Sequence, residues 1–256
     1  MDNVKDGYLL KLREFTDAIR ATGIEASDDK IEFQFESLVE SYSLHSTNDI
    51  KKWYEEQLKK ETMKIEVIPL DQCKKWIFNK NKIQHESGEF FSIEGIRVSN
   101  SSTREVNTGW DQPIIKQTGW DGGILGLIRK RFNGVPHYLI EAKAEPGNPN
   151  IVQMSPTLQA TFSNIKKSHK GRAPLYLSYF TNPEDHNAIV HYKNWLAVDG
   201  GRLFNKRNLN MLVELPEETK IDLNSNFMWM SMHQIKVFLH EEAWVNPHIR
   251  GIISHL

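Results

Sequence analysis

The chain has 256 residues, one cysteine and a formal net charge of −1. Balanced charge excludes a nucleic-acid-binding surface or a polybasic membrane contact as the main interaction, since phosphate binding needs clustered Lys and Arg. The lone Cys73 excludes an intrachain disulfide and a cysteine metal cage, and it fits a reducing, cytoplasmic setting.

The first residues, MDNVKDGYLLKLREF, lack the continuous apolar run of a signal peptide, and no later run is long enough to cross a bilayer. Residues 6–21 place Leu9, Leu12, Phe15 and Ile19 at helical spacing and predict an amphipathic helix. Asp28 and Asp29 mark a break. Ser46 and Thr47 open a second helix, with Ile50, Trp53, Tyr54 and Leu58 as its buried stripe. The mixed charges of Lys51 to Lys60 read as its solvated face.

From Ile65 the pattern changes to strands: IEVIPL, FFSIEGIRVS, GGILGLIRKRF, PHYLIEAKAE, PLYLSYF and RNLNMLVEL, each bounded by Gly, Pro or Asn. Asn133-Gly134 is a strong hairpin signal, because both turn positions need positive φ, so residues 122–132 and 135–145 should pair antiparallel. The tail from Met230 predicts two helices split at Asn246-Pro247. The fold class expected is α+β, a mostly antiparallel sheet with flanking helices. The triplet GWD at 109–111 and 119–121 is too short to indicate a repeat.

Residues 137–164 carry the chemistry. Tyr138, Ile140, Ala142 and Ala144 alternate with Glu141, Lys143 and Glu145, so the three charged groups share one strand face, spaced by about 7 Å. A turn, Pro146 to Asn150, leads into a polar, nearly uncharged run with Gln153, Ser155, Thr157, Gln159, Ser163 and Asn164. Elsewhere the familiar signatures are missing: no dinucleotide fingerprint, no phosphate-binding loop, no His-Glu-x-x-His and no nucleophile elbow. The histidines show no metal-ligand spacing, so neither a metal nor a cofactor is expected.

Five segments in the same order resemble the NDP-hexose 2,3-dehydratase family: HESGEFF, REVNTGWDQPII, the long block from Gly122 to Asn164, FNKRNLNMLVEL and the C-terminal WMSMHQIKVFLHEEAWVNPHIRGIISHL. The resemblance divides the chain into an N-terminal helical extension (1–45) and one family unit (46–256). It implies a Nudix-like α+β fold, though no Nudix box with its acidic helix is present. Typical members carry two tandem copies; this sequence shows one, which leads us to expect a homodimer. The implied activity is cofactor-free loss of water across C2 and C3 of a nucleotide-linked 4-keto-6-deoxyhexose.

That reaction needs a base at C3, an acid at the C2 oxygen and a donor at the C4 oxygen. Glu141 or Glu145 is the expected base, with Lys143 stabilising the enolate; His85 and His137 are candidate acids. A solvated salt-bridge row is the plain alternative for the strand face. For the nucleotide, Trp110 and Trp120 offer stacking surfaces and Arg104, Lys206 and Arg207 offer cations for the diphosphate. Gln112, Asn148, Gln153, Ser155, Thr157, Gln159, Ser163 and Asn164 offer neutral hydrogen bonds suited to an uncharged sugar. A keto-sugar isomerase or epimerase, a non-catalytic nucleotide-sugar-binding partner subunit and a nucleotide-diphosphate hydrolase are the competing readings.

Overall fold

Helices open the chain. In the computed structural model, which describes residues 2–117, 122–165 and 173–256, α1 spans Asp2–Ala21, α2 Asp28–Leu38 and α3 Thr47–Lys60. The inward stripe of α1 is Tyr8, Leu12 and Phe15, packed with Phe35 of α2, while Leu9 is turned out to solvent. The Asp28-Asp29 pair does not break the chain. Ser27 caps α2, and the two acids occupy its first turn, where the helix dipole favours negative charge. The start of α3 is as expected: Ser46 and Asp49 form a reciprocal capping box, and Ile50, Trp53 and Tyr54 are buried.

A four-stranded antiparallel sheet follows, in the order β1 (Trp76–Phe78), β2 (Lys82–His85), β3 (Phe91–Val98) and β4 (Trp110–Gln117). IEVIPL is not one of its strands. Residues 65–69 lie exposed outside any strand and run into a single 3-10 turn at Leu70–Gln72. Pro69 has no N–H to offer a ladder, and side chains without a buried face gain nothing from pairing.

The larger sheet contains β5 (Ile124–Phe132), β6 (Val135–Ala144), β7 (Val152–Pro156) and β8 (Leu158–Ala160). After the short helices α4 (Phe162–Ile165) and α5 (Ser178–Thr181) come β9 (Ile189–Ala197), β10 (Arg207–Leu215) and β11 (Phe227–Met230). Helices α6 (Met232–Phe238) and α7 (Pro247–Ile253) end the chain, the latter capped by Asn246 with Pro247 in its first turn. PLYLSYF, expected as a strand, becomes a turn and α5, because Tyr176 takes a φ of 60° that extended backbone cannot hold. The strand order is β11-β6-β5-β10-β9, with β7 on β6 and β8 on β5. The pairing is antiparallel apart from β5 with β10, so the fold is α+β with mostly antiparallel sheets.

The Asn133-Gly134 hairpin joins β5 and β6, with φ values of 49° and 75°. Pairing runs from Phe132↔Val135 to Ile128↔Leu139, and there the two strands part. Beyond that point β7 pairs with the far half of β6, and β8 with the start of β5. Thr157 sits in the fork. Its hydroxyl accepts from the Ile128 N–H at 2.9 Å and donates to the Leu139 carbonyl at 2.5 Å. One side chain thus satisfies two backbone groups that the parted strands leave buried.

A buried ion cluster ties α2 to this sheet. Arg129 of β5 is fully buried and meets Glu36 at 2.6 Å, Glu32 at 3.1 Å and Glu214 of β10. Arg131 bonds Glu32 at 2.7 Å and Glu214 at 2.9 Å, and the Tyr138 hydroxyl donates to Glu36 at 2.7 Å. His191 of β9 lies 2.7 Å from Glu214. Burial pushes the Glu36 carboxyl up despite Arg129 beside it. Burial also acts on Glu214, but the His191 hydrogen bond and the two arginines outweigh it and bring that carboxyl down to about 2.

Candidate active site

The far half of β6 turns Glu141, Lys143 and Glu145 to one face, and β7 sets Ser155 and Gln153 directly opposite Glu141 and Lys143. From β8, Gln159 reaches across the same face. Its carbonyl accepts from Lys143 Nζ at 3.1 Å, and its Nε2 donates to Glu145 at 2.8 Å. Lys143 Nζ stands 4.0 Å from the Glu141 carboxylate, whose other oxygen accepts from Asn226 Nδ2 at 3.3 Å. This is no solvated salt-bridge row. The side chains of Glu141 and Lys143 are 20% and 24% exposed. Burial raises the Glu141 carboxyl to about 7, the pull of Lys143 being insufficient to offset it. Gln159 Oε1 is buried and has no hydrogen-bond partner among the described residues.

Beside this face lies a cleft of about 510 Å³, bounded by Glu145, Asn148 and Gln153 on one side and by Asn246, His248 and Arg250 on the other. The volume is within the range of roughly 300–1,000 Å³ common to small-molecule sites. Its walls are held by backbone. Asn148 Nδ2 donates to the Ile151 carbonyl and closes the Pro146 to Asn150 turn, and Gln153 Nε2 donates to the Ala243 carbonyl. Ile151 and Ala243 hold positive φ values of 61° and 59°. A β-branched residue tolerates that region poorly, and such strain collects at functional sites.

The structure gathers Glu141, Lys143, Glu145, Asn148, Gln153, Ser155 and Gln159 on one face or at its cleft. Thr157 lies within the same segment but is buried in the fork, its hydroxyl committed to backbone. Ser163 and Asn164 fall in α4, where their side chains lie outside the described residues, as does Trp120 altogether. Lys206 stands half-buried just before β10 without an ion-pair partner among the described residues, and burial lowers its pKa. Arg207 is instead stacked on Trp195, 4.7 Å from the ring centroid.

His137 cannot serve as an acid here. It is fully buried near the hairpin, its Nε2 accepts from the Leu44 N–H at 3.0 Å and its Nδ1 faces the Val135 carbonyl at 3.1 Å. Burial lowers it to about 4, so it is a neutral clamp between the α2–α3 connection and β6. His85 lies on β2 of the smaller sheet, hydrogen-bonded to Ser87 at 2.7 Å. Arg104, Trp110 and Gln112 are also away from the polar face: Arg104 pairs with Glu105, and Trp110 donates to Gln112, which donates to the Gly201 carbonyl.

His248 escaped the sequence reading. It lies in the first turn of α7 and lines the cleft. Only the tertiary placement of that helix shows its relation to β6; the weak local signal was the Asn-Pro helix start just before it. Among the described residues no three His, Cys, Asp or Glu converge to hold a metal ion, and no helix is long and apolar enough to cross a membrane.

Fold and site together define an α+β protein with a half-buried acid–base face beside a polar cleft. The chain belongs to the NDP-hexose 2,3-dehydratase family, whose pattern matches residues 47–256. It is 37% identical over 219 residues to the dTDP-4-dehydro-6-deoxy-alpha-D-glucopyranose 2,3-dehydratase of Amycolatopsis orientalis, a match covering 82% of this chain and 44% of that protein. The enzymes of the same name from Saccharopolyspora spinosa and Streptomyces violaceoruber are each 35% identical, over 81% and 80% of this chain and 42% and 45% of their own lengths. The chain thus spans less than half the length of these curated relatives. Among solved structures, a Nudix hydrolase from M. smegmatis matches at 13% identity, with a TM-score of 0.35, over 57% of this chain and 87% of that one. The C. elegans Ap4A hydrolase matches at 13% identity, with a TM-score of 0.29, over 52% and 95%.

Proposed function

We propose that this protein removes water across C2 and C3 of a nucleotide-linked 4-keto-6-deoxyhexose, with dTDP-4-keto-6-deoxyglucose as substrate, in deoxysugar biosynthesis and without a redox cofactor. The observation that carries the reading is the Glu141–Lys143 pair, half-buried in a face that otherwise offers neutral hydrogen bonds, within a chain of this family. The C4 carbonyl acidifies the proton on C3. Once that proton is gone, the resulting enolate can expel the C2 hydroxyl. Lys143 stabilises negative charge on the C4 oxygen. A carboxyl raised to about 7 keeps a large share of its proton near neutrality, where an ordinary carboxyl has almost none, so Glu141 is the donor to the departing hydroxyl rather than the base the sequence suggested. The open acceptor on Gln159 suits a sugar hydroxyl.

The test is to incubate the purified protein with dTDP-4-keto-6-deoxyglucose, without NAD(P) or added metal, and to follow the sugar nucleotide by mass spectrometry. Loss of one water, followed by release of dTDP as the diketo product decays, is the expected result. Deuterium uptake from D₂O with no water loss would replace the reading with an isomerase or epimerase. The proposal includes a homodimer, as in the sequence reading; light scattering at assay concentration is expected to give twice the chain mass, and a monomer would remove it.

A further inference from the structure

We propose that His248 is the base that takes the C3 proton, acting from the cleft beside the strand face that carries Glu141. The assignment rests on the dehydratase reading above and divides its acid and base between two elements, α7 and β6.

The placement comes from a chain of contacts. Gln153 lies opposite Lys143 in the β6–β7 register. Its Oε1 accepts from Asn246 Nδ2 at 3.4 Å, and Asn246 Oδ1 accepts from the His248 N–H at 2.9 Å. The start of α7 is therefore fastened to the strand beside the catalytic face. From there His248 looks into the cleft that Glu145 and Gln153 also line. Neither ring nitrogen has a hydrogen-bond partner among the described residues, whereas both nitrogens of His137 are engaged and His85 belongs to the other sheet.

The charges around the ring suit a base. Burial lowers the His248 pKa, and Lys143 from β6 and Lys206 from the approach to β10 lower it further. The cleft wall also carries Glu145, Glu241 and Arg250. The surroundings push the imidazole toward its neutral form and Glu141 toward its protonated form. Two groups whose surroundings push them in opposite directions are suited to opposite roles.

The step balances. His248 takes the C3 proton as the C–H electron pair forms a C3=C4 enediolate, with the negative oxygen on C4. The C4 carbonyl re-forms, a C2=C3 bond appears, and the C2–O bond breaks as Glu141 gives its proton to the departing hydroxyl, so water leaves. In the return to the ketone, the imidazolium delivers its proton to C2 and the C3 hydroxyl gives its proton to the Glu141 carboxylate. Both side chains end in their starting forms.

The experiment uses the full chain in D₂O. In Glu141→Gln the enediolate has no donor for the C2 oxygen and reverts, so deuterium is expected to accumulate at C3 of unreacted substrate. Adding His248→Gln should lower that exchange by about 10²-fold or more, with the Kd for dTDP, read by calorimetry, unchanged. In the single variant His248→Ala, added imidazole should restore part of the lost turnover, a result that a merely structural role would not give. Exchange in the double variant within about threefold of Glu141→Gln would overturn the assignment and leave the base elsewhere. A wild-type protein that binds dTDP but neither exchanges nor eliminates would instead overturn the dehydratase reading, and the assignment with it.

Discussion

Replacing Arg129 with methionine is expected to lower the unfolding free energy by about 3–5 kcal/mol, measured by urea denaturation at neutral pH. Among the described residues the guanidinium is the only cation that reaches Glu36, and it also meets Glu32 and Glu214. Methionine fills similar space but leaves Arg131 to answer Glu32 and Glu214 alone, and leaves Glu36 with no cation among the described residues. Glu214 is affected as well, because its ionised form draws on Arg129 beside His191 and Arg131. Its contribution is present above the ordinary value of 4.5 and is lost as pH falls toward about 2, so the wild type should weaken across that window more steeply than the variant. Glu36→Gln is the contrasting case. Burial already raises that carboxyl, and glutamine keeps its volume, so the cost should be nearer 1 kcal/mol. The same cluster fastens α2 to the sheet. Limited proteolysis of Arg129→Met should therefore cut at residues 39–46 before the remainder of the chain opens, whereas wild type should resist. Equal stability of Arg129→Met and wild type would mean that the cluster's attraction only balances its desolvation.

Little of this cluster was legible in the sequence. In a strand written ILGLIRKRF, arginines at alternate positions look like a solvated edge; what buries them is α2, and α2 was hidden because its two leading acids resembled a break. Side-chain capping by Ser27 was the signal that would have revealed it. Features set by neighbours in sequence were legible: the Asn133-Gly134 turn, the Ser46–Asp49 capping box, and the period-two row of Glu141, Lys143 and Glu145. The polar run after Asn150 was legible as a group, but its members differ in role. Gln159 reaches across the Glu141–Lys143–Glu145 face and Gln153 lies opposite Lys143, while Thr157 holds the fork. That distinction depends on where β5 and β6 separate, which a one-dimensional pattern does not record. The strand readings of IEVIPL and PLYLSYF failed for a related reason. β-Propensity describes a half-buried pleated surface, and neither segment pairs into one: residues 65–69 stay exposed, and Phe180 packs onto the sheet from α5.

Glu141→Gln is expected to lower kcat/KM for water loss by about 10²–10⁴-fold while making the folded protein more stable above neutral pH. The two effects have one origin. Burial holds the carboxyl at about 7 against an ordinary value of 4.5, so the folded state favours the protonated form. Its favourable contribution is complete below 4.5 and is lost as pH rises through about 7. Ionising the group in place therefore opposes folding by up to about 3 kcal/mol at pH 8, a penalty glutamine does not incur. In the proposed role of proton donor, Glu141 must be protonated in the free protein. The wild-type kcat/KM should then fall with rising pH through about 7, and the residual activity of Glu141→Gln should lack that limb. If kcat/KM instead rises through the same pH, Glu141 is the base, and His248 would have to be the donor. Loss of turnover together with a gain in urea resistance at pH 8 separates a chemical role from damage to the fold, since a variant impaired by misfolding would lose both.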